Sequence, residues 1–240
     1  MLAGVKPTRL DKLLANRGYC SRSHAAGFVK RIDIREGERR ILKPDEKVEP
    51  AKLTIDGQPI DPETILIVLN KPAGYVCSRS DAGTMIYELL PERFNARNPA
   101  ITTVGRLDKE TTGLILLSDE GLLVHRLTSP KHHVPRTYLA TLQHPLCGDE
   151  AAVFASGSLT LESDDKPLLP AEMEMIAPTQ ARLTLREGRY HQIRRMFAAV
   201  GNHVVALHRE SFGPITLGDL APGAYRMLSD DERAALTGAA

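Results

Sequence analysis

The residues with the clearest catalytic potential are one aspartate, Asp108, and a distant group of arginines. Asp108 lies in a polar loop, VGRLDKETTGL at residues 104–114, between two apolar stretches. The arginines belong to EGRYHQIRRMF at residues 187–197. An ionised carboxylate can act as a nucleophile, and an adjacent guanidinium keeps it ionised and fixes its orientation. Because most loop aspartates are only solvated or cap a helix, the spacing alone does not single out Asp108.

A predicted helix that begins near Tyr190 indicates which arginine faces this loop. Its apolar residues recur on one face and are Ile193, Met196, Phe197 and Val200. Gly201 is expected to end the helix. At about 100° per residue, Arg194 borders the apolar stripe, whereas Arg195 points to the opposite side. We therefore expect Arg194 to pair with Asp108, and Arg195 to meet solvent or a bound ligand.

Composition limits the class of protein. The chain has 240 residues, of which 42% are hydrophobic and 25% charged, as in globular proteins with one large or two small domains. No run of about 18 apolar residues is present, so we expect no membrane span. The three cysteines, Cys20, Cys77 and Cys147, are far apart and form neither a zinc spacing nor a disulfide framework. This usage is typical of a reducing compartment and predicts a cytoplasmic protein.

Cofactor motifs are missing from the sequence. There is no GxGxxG segment and no P-loop, so no nucleotide cofactor is expected. His132 and His133 are adjacent, but no set of carboxylates or cysteines accompanies them, so no metal site is expected. No heptad pattern or exposed apolar stripe predicts a partner subunit, and a monomer is expected.

Charge is distributed unevenly along the chain. Residues 1–43 hold 11 lysines and arginines but 4 acidic residues, a net of +7, so the remainder carries −6 of the total of +1. A basic N-terminal region on an otherwise acidic chain suggests a polyanionic partner.

The elements predicted around these residues favour an α+β fold. Two short helices are expected near residues 10–17 and 23–32, the first closed by Gly18, followed by a strand at 53–55 and a turn at Asp56-Gly57. After a linker at 61–64, strands are expected at ILIVLN (65–70), LILLS (114–118), TYLATL (137–142) and ARLTL (181–185). Strands interleaved with few helices indicate a mainly antiparallel mixed sheet. The predicted domains are residues 1–61 and 62–240.

Several ordered motifs resemble the ribosomal RNA pseudouridine synthases that carry an N-terminal S4 domain. RLDKLLANRGYCSRSHAA (9–26) is similar to the start of an S4 RNA-binding domain, and GRLDKETTGLILLSDEG (105–121) to the catalytic motif. The remaining motifs follow in the family's order and are NKPAGYVCS (70–78), LTSPKHHVPRTYLA (127–140), EGRYHQIRRMF (187–197) and GNHVVALHRE (201–210). The SPKHH and GRYHQ versions are most similar to the small-subunit branch.

The resemblance implies a reaction and its residues. The family breaks the N-glycosidic bond of a uridine, turns the uracil and rejoins it through carbon, with no cofactor. It implies that Asp108 is the nucleophile, that Tyr138 is the active-site tyrosine, and that Arg194 is the arginine partner. Attack on the sugar and attack on the base both remain open. The expected substrate contacts are Leu185, Arg106, Lys71 and Arg195, and Leu185 packs against the uracil.

The resemblance also implies the substrate. The expected reaction is site-specific isomerisation of uridine in 16S ribosomal RNA, with uridine 516 as the target, on free RNA or a partly assembled small-subunit particle. The S4-like domain is expected to bind RNA through Arg9, Lys12, Arg17, Arg22 and Lys30. Two alternatives stay open: the same reaction on 23S ribosomal RNA, and a non-catalytic S4-type RNA-binding assembly factor.

Overall fold

The computed structural model describes residues 6–238 and divides into two compact units. The N-terminal unit is Met1–Ile65 with Leu90–Thr102, and the C-terminal unit is Leu66–Leu89 with Thr103–Ala240. This division differs from the predicted boundary at residue 61, because the segment after Leu90 folds onto the N-terminal unit. There Arg93 Nε lies 2.8 Å from a carboxylate oxygen of Asp61, and the Asn98 amide donates to the Asn16 carbonyl at 2.9 Å.

The N-terminal unit contains short helices and two small sheets. Its helices are α1 (Leu10–Asn16), α2 (Ala25–Arg31) and α3 (Glu92–Asn95). Its strands are β1 (Thr8–Arg9), β2 (Ile34–Glu36), β3 (Arg39–Arg40), β4 (Lys47–Val48), β5 (Leu53–Ile55) and β6 (Gln58–Pro59). Strand β1 pairs with β4, and the other four pair in the order β3-β2-β5-β6.

The predicted N-terminal elements are confirmed. Leu10 and Leu14 of α1 are fully buried with Val29 of α2 and Ile34 of β2, and Gly18 follows α1 at φ +79°. The Asp56–Gly57 turn joins β5 to β6, both residues having positive φ.

The C-terminal unit is built on one sheet. Its strands are β7 (Leu66–Lys71), β8 (Thr102–Thr103), β9 (Thr112–Ser118), β10 (Arg136–Leu142), β11 (Glu172–Ala177), β12 (Gln180–Leu185), β13 (Val204–Phe212), β14 (Ile215–Thr216) and β15 (Tyr225–Met227). Strand β8 begins at Thr102, the last residue assigned to the N-terminal unit. Its helices are α4 (Gly121–Thr128), α5 (Glu150–Ala155), α6 (Gln192–Ala199) and α7 (Asp230–Gly238). Short 3-10 helices lie at Arg22–His24 and Pro50–Lys52 in the N-terminal unit, and at Ile86–Leu89 and Pro130–His132 in the C-terminal unit.

The sheet is mixed and mainly antiparallel, which confirms the predicted α+β class. The strand order is β11-β12-β10-β13-β9-β7-β15, with β14 paired to β13 and β8 paired to β9. Strand β13 runs parallel to β9, whereas β10, β11, β12 and β7 pair antiparallel with their neighbours. The parallel contact brings the chain at residue 209 beside the loop that carries Asp108.

Two apolar clusters fix the sheet in place. In the first cluster, α6 packs Met196 and Phe197 against β10 and β12, and the Phe197 ring meets Phe154 edge-on at 5.3 Å between ring centres. In the second, α4 buries Leu123 and Leu127 against β7 and β9. No helix within residues 6–238 is both long and apolar enough to cross a membrane.

Candidate active site

Asp108 lies in the loop between β8 and β9, as the sequence predicted. The loop is a tight turn in which the Thr111 amide donates to the Asp108 carbonyl at 3.1 Å. The Asp108 side chain is 39% exposed, so its carboxylate is open to a cavity but not fully solvated. At the end of the loop, Gly113 has φ +102°, and a Cβ there would lie 2.3 Å from the Arg209 carbonyl oxygen. Only glycine allows β9 to approach β13 this closely.

Lys71 supports the Asp108 loop through hydrogen bonds to backbone carbonyls. It is fully buried, and its ammonium donates to the carbonyls of Lys109 at 2.9 Å, Thr111 at 2.8 Å and Pro72 at 3.1 Å. Burial lowers the pKa of Lys71, and the nearby charge of Asp108 opposes that shift. The predicted substrate contact at Lys71 is therefore corrected, because a buried ammonium with three backbone partners positions the loop instead.

Cys77 fixes the residue that precedes Asp108. Its thiol donates to the Leu107 carbonyl at 3.3 Å and accepts from the Leu107 amide at 3.4 Å. Burial raises the pKa of the Cys77 thiol, which keeps it protonated and able to donate. In the sequence Cys77 belongs to neither a zinc spacing nor a disulfide framework, and its position in the NKPAGYVCS motif is the available signal of a role at the site.

The side chain that lies within ion-pair distance of Asp108 is His191 rather than Arg194. His191 Nε2 lies 3.4 Å from Asp108 Oδ1, and His191 occupies a left-handed conformation immediately before α6. Within the described residues Arg194 forms no ion pair with Asp108. Its Nη1 donates to the Val204 carbonyl at 2.8 Å, because the guanidinium turns toward the start of β13. The predicted direct pair is therefore absent, although Arg194 lines the same cavity.

Arg195 is partly buried and held by a loop, rather than pointing freely into solvent. Its guanidinium lies 2.7 Å from a carboxylate oxygen of Asp164 and also contacts the Glu162 carbonyl. Arg189 binds the other Asp164 oxygen at 2.9 Å, and the two arginines lower the pKa of that carboxyl. Arg195 thus anchors the loop before β11. Sequence periodicity placed it correctly on the far side of the stripe, but could not show the loop that covers it.

A cavity of about 460 Å³ joins the predicted residues. Asp108, Arg106 and Arg194 line it together with Tyr138 from β10 and Leu185 from β12. These two strands are adjacent and antiparallel, which brings side chains far apart in sequence to one wall. The cavity therefore combines a carboxylate, an aromatic ring and an apolar surface.

The cavity mouth is basic and aromatic. Arg106 is 69% exposed there, and its guanidinium lies 3.1 Å from Asp81. Tyr190 is 76% exposed and stacks on His191, with 3.8 Å between ring centres. A flat nucleobase can stack on such a surface. Among the residues that the structure describes, no cluster of three or more His, Cys, Asp or Glu is arranged to hold a metal ion.

The predicted RNA-binding residues of the N-terminal unit divide into exposed and buried. Arg9, Lys12, Arg22 and Lys30 are exposed. Arg9 and Arg22 flank Asp11, at 3.0 and 3.2 Å.

Arg17 is corrected. It is only 7% exposed, and burial lowers its pKa. A guanidinium buried within its own unit is not available to an RNA surface.

Comparison with known proteins identifies the family. A family model described as RNA pseudouridylate synthase matches residues 65–199. The chain belongs to the RNA pseudouridylate synthase family. This confirms the resemblance seen in the motifs, and the chain is an enzyme that isomerises uridine in RNA. Asp108, Tyr138 and Arg194 all lie within the matched residues.

Individual relatives extend the match to nearly the whole chain. Ribosomal small subunit pseudouridine synthase A of Escherichia coli (strain K12) is 44% identical over 234 residues, covering 95% of this chain and 99% of that protein. The protein of the same name from Pasteurella multocida (strain Pm70) is 39% identical and covers 93% and 97%. A solved structure described as a pseudouridylate synthase has a TM-score of 0.68 at 36% identity, covering 95% of this chain and 99% of that one.

Proposed function

We propose that this pseudouridine synthase acts site-specifically on small-subunit ribosomal RNA, with uridine 516 of 16S RNA as its target. One observation carries the proposal: a single cavity joins Asp108, Tyr138 and Leu185 in a chain 44% identical to a ribosomal small subunit pseudouridine synthase. The substrate is free RNA or a partly assembled subunit, and the enzyme works as a cytoplasmic monomer without a cofactor.

Asp108 is the proposed nucleophile. Its carboxylate faces the cavity, while Lys71 and Cys77 hold the loop on both sides of it through backbone contacts. Such support keeps a reacting atom in position, and a displacement of about 1 Å can cost about 100-fold in rate. His191 and Arg194 supply donors around the same cavity, and their positive charge stabilises the ionised carboxylate when the histidine is protonated.

The target base leaves its RNA helix to reach Asp108, because chemistry on a stacked base is sterically blocked. Tyr138 presents a ring on which the extruded uracil stacks, and stacking of this kind contributes about 1–3 kcal/mol. Leu185 packs against the base from the neighbouring strand. The Tyr138 hydroxyl is also available to move a proton while the base detaches and rejoins through carbon.

The N-terminal unit is proposed to be an S4-like domain that holds folded RNA through phosphate contacts. Arg9, Lys12, Arg22 and Lys30 form its exposed basic surface. Contacts of this kind recognise RNA by shape and charge and weaken as salt rises. Arg17 is left out of this surface because it is buried.

Pseudouridine mapping by carbodiimide modification and primer extension tests the proposal. Small- and large-subunit RNA, free and in assembling particles, are treated with the wild-type enzyme or with Asp108→Ala. We expect one new stop, at uridine 516 of the small-subunit RNA, with wild type alone. The matched control is Asp165→Ala, which removes an exposed carboxylate of the same unit and should keep the stop.

Other outcomes select between the alternatives. A stop only in large-subunit RNA would move the target to that RNA. A stop that persists with Asp108→Ala would reject the nucleophile. RNA binding without any stop would favour a non-catalytic assembly factor.

A further inference from the structure

Arg209 of β13 is a buried cation with incomplete hydrogen bonding. It is 2% exposed, and its Nε donates to the Leu114 carbonyl at 2.6 Å. Its Nη1 reaches the Tyr138 hydroxyl at 3.5 Å, whereas its Nη2 is buried and has no hydrogen-bond partner among the described residues. Burying a charged donor without a partner is costly, so such groups are ordinarily satisfied.

A second arginine with no counter-charge lies next to it. The guanidinium carbons of Arg136 and Arg209 are 5.1 and 5.6 Å from the centre of the same Phe212 ring. Within residues 6–238 the Arg136 side chain forms no hydrogen bond or ion pair. Burial lowers the pKa of Arg136, and the charge of Arg209 lowers it further. Two neighbouring cations in a partly desolvated place favour the binding of an anion between them.

Both arginines line a cavity of about 290 Å³, which we name the arginine pocket. Arg186 and Arg189 also line the pocket. The carboxylate that lines it, Glu187, already accepts hydrogen bonds from Arg189 at 3.1 Å and from Gln192 at 3.0 Å. Since Glu187 is engaged, it leaves Arg136 and Arg209 without neutralisation.

The arginine pocket adjoins the Asp108 cavity. The two share lining residues, including Gly105, Arg106, Tyr138 and Gly188. Every nucleotide in an RNA chain has a phosphate on each side of its ribose. A uridine placed against Tyr138 therefore brings one of its phosphates to the entrance of the pocket.

We propose that the arginine pocket binds a backbone phosphate next to the target uridine, through Arg136 and Arg209. The proposal rests on the proposed function for the identity of the nucleotide. Guanidinium groups match phosphate oxygens by charge and by paired hydrogen bonds, and Nη2 of Arg209 is the free donor. Because Arg209 also reaches the Tyr138 hydroxyl, the bound phosphate positions the nucleotide relative to the stacking ring.

Calorimetric titration of the full-length protein tests the pocket without requiring turnover. The probes are uridine 3′,5′-bisphosphate, uridine and inorganic phosphate, at low salt. We expect the bisphosphate to bind about 10- to 100-fold more tightly than uridine, the range expected for one charge-assisted contact. It should also bind about tenfold more tightly than inorganic phosphate. Equal affinity for bisphosphate and uridine, or for bisphosphate and inorganic phosphate, would overturn the assignment.

Variants locate the binding. Arg136→Gln should reduce bisphosphate affinity about tenfold or more while leaving uridine affinity unchanged. The matched control is Arg182→Gln, which removes the same charge from β12, where Arg182 binds Glu210 at 2.7 Å. If Arg209→Gln folds, it should show the same loss of bisphosphate affinity as Arg136→Gln. If it does not fold, the result for Arg136→Gln alone tests the pocket. Wild-type bisphosphate affinity in Arg136→Gln would refute the pocket.

The pocket and the proposed reaction can fail separately. Arginine-dependent binding of bisphosphate by a protein that forms no pseudouridine would preserve the pocket and reject the proposed reaction. Pseudouridine formation with wild-type rates in Arg136→Gln, and no preference for the bisphosphate, would reject the pocket and preserve the reaction.

Discussion

Replacing Lys71 by Met removes the ammonium that supports the Asp108 loop while keeping a side chain of similar length. Three carbonyls lose a donor, those of Pro72, Lys109 and Thr111. The Lys109 carbonyl keeps the Gly74 amide as a donor at 3.0 Å, so the loss falls mainly on the other two. An unsatisfied buried acceptor costs about 1–3 kcal/mol. Removing the Lys71 ammonium also removes the desolvation penalty of a buried charge, which offsets part of this loss. We expect the free energy of unfolding to fall by about 2–4 kcal/mol.

The same change should affect catalysis below the unfolding temperature. A loosened loop misplaces the Asp108 carboxylate, and we expect kcat to fall about 10- to 100-fold with a smaller change in KM. Denaturant unfolding measures the stability, and single-turnover pseudouridine formation on saturating RNA measures the rate. Lys166→Met is the matched control, because Lys166 is exposed in the same unit.

Two results would contradict this reasoning. Wild-type stability in Lys71→Met would mean that the three hydrogen bonds contribute nothing net. Reduced stability with an unchanged kcat would mean that Lys71 supports the fold but does not position Asp108.

Three further changes test other parts of the structure. Gly113→Ala should lower the free energy of unfolding by about 3 kcal/mol in denaturant titrations, because the new Cβ meets the Arg209 carbonyl at positive φ; normal stability would contradict this packing. Arg226 and a backbone amide lower the pKa of Glu232 to about 2. The ionised Glu232 carboxylate therefore stabilises the fold fully above about pH 4.5, and this stabilisation is lost as the pH falls toward 2. In Glu232→Gln, the free energy of unfolding plotted against pH should fall less steeply across that window than in wild type. Arg22→Ala should reduce the log–log salt slope of RNA binding by roughly 0.7–0.9, and an unchanged slope would remove this exposed arginine from the interface.

Local sequence was sufficient for the elements and for the residues inside recognisable motifs. Continuous apolar runs predicted β7 and β9, and the periodic stripe of α6 together with Gly201 predicted where that helix ends. Asp108 and Tyr138 were named from motifs and Leu185 from the wider resemblance to the family, and the structure brings all three to one cavity. Their catalytic roles remain predictions until Asp108→Ala is assayed.

The errors concern side chains whose partners are distant in sequence. Helix geometry placed Arg194 beside the apolar stripe, but the carbonyl that it reaches belongs to β13. Arg17 was counted with the basic surface, although folding buries it in its unit. Periodicity gives the direction of a residue on its own element and carries no information about which element covers it.

The sequence by itself determined the family, the order of helices and strands, and the chemical types available at the site. These depend on motifs and on periodicity within a few turns of chain. Only the tertiary structure decided how those groups are used: Lys71 and Cys77 hold the Asp108 loop, and Arg136 lies beside Arg209 without a counter-charge. The reason is physical, because burial, hydrogen-bond satisfaction and the field of neighbouring charges arise from contacts between segments that the chain brings together only on folding.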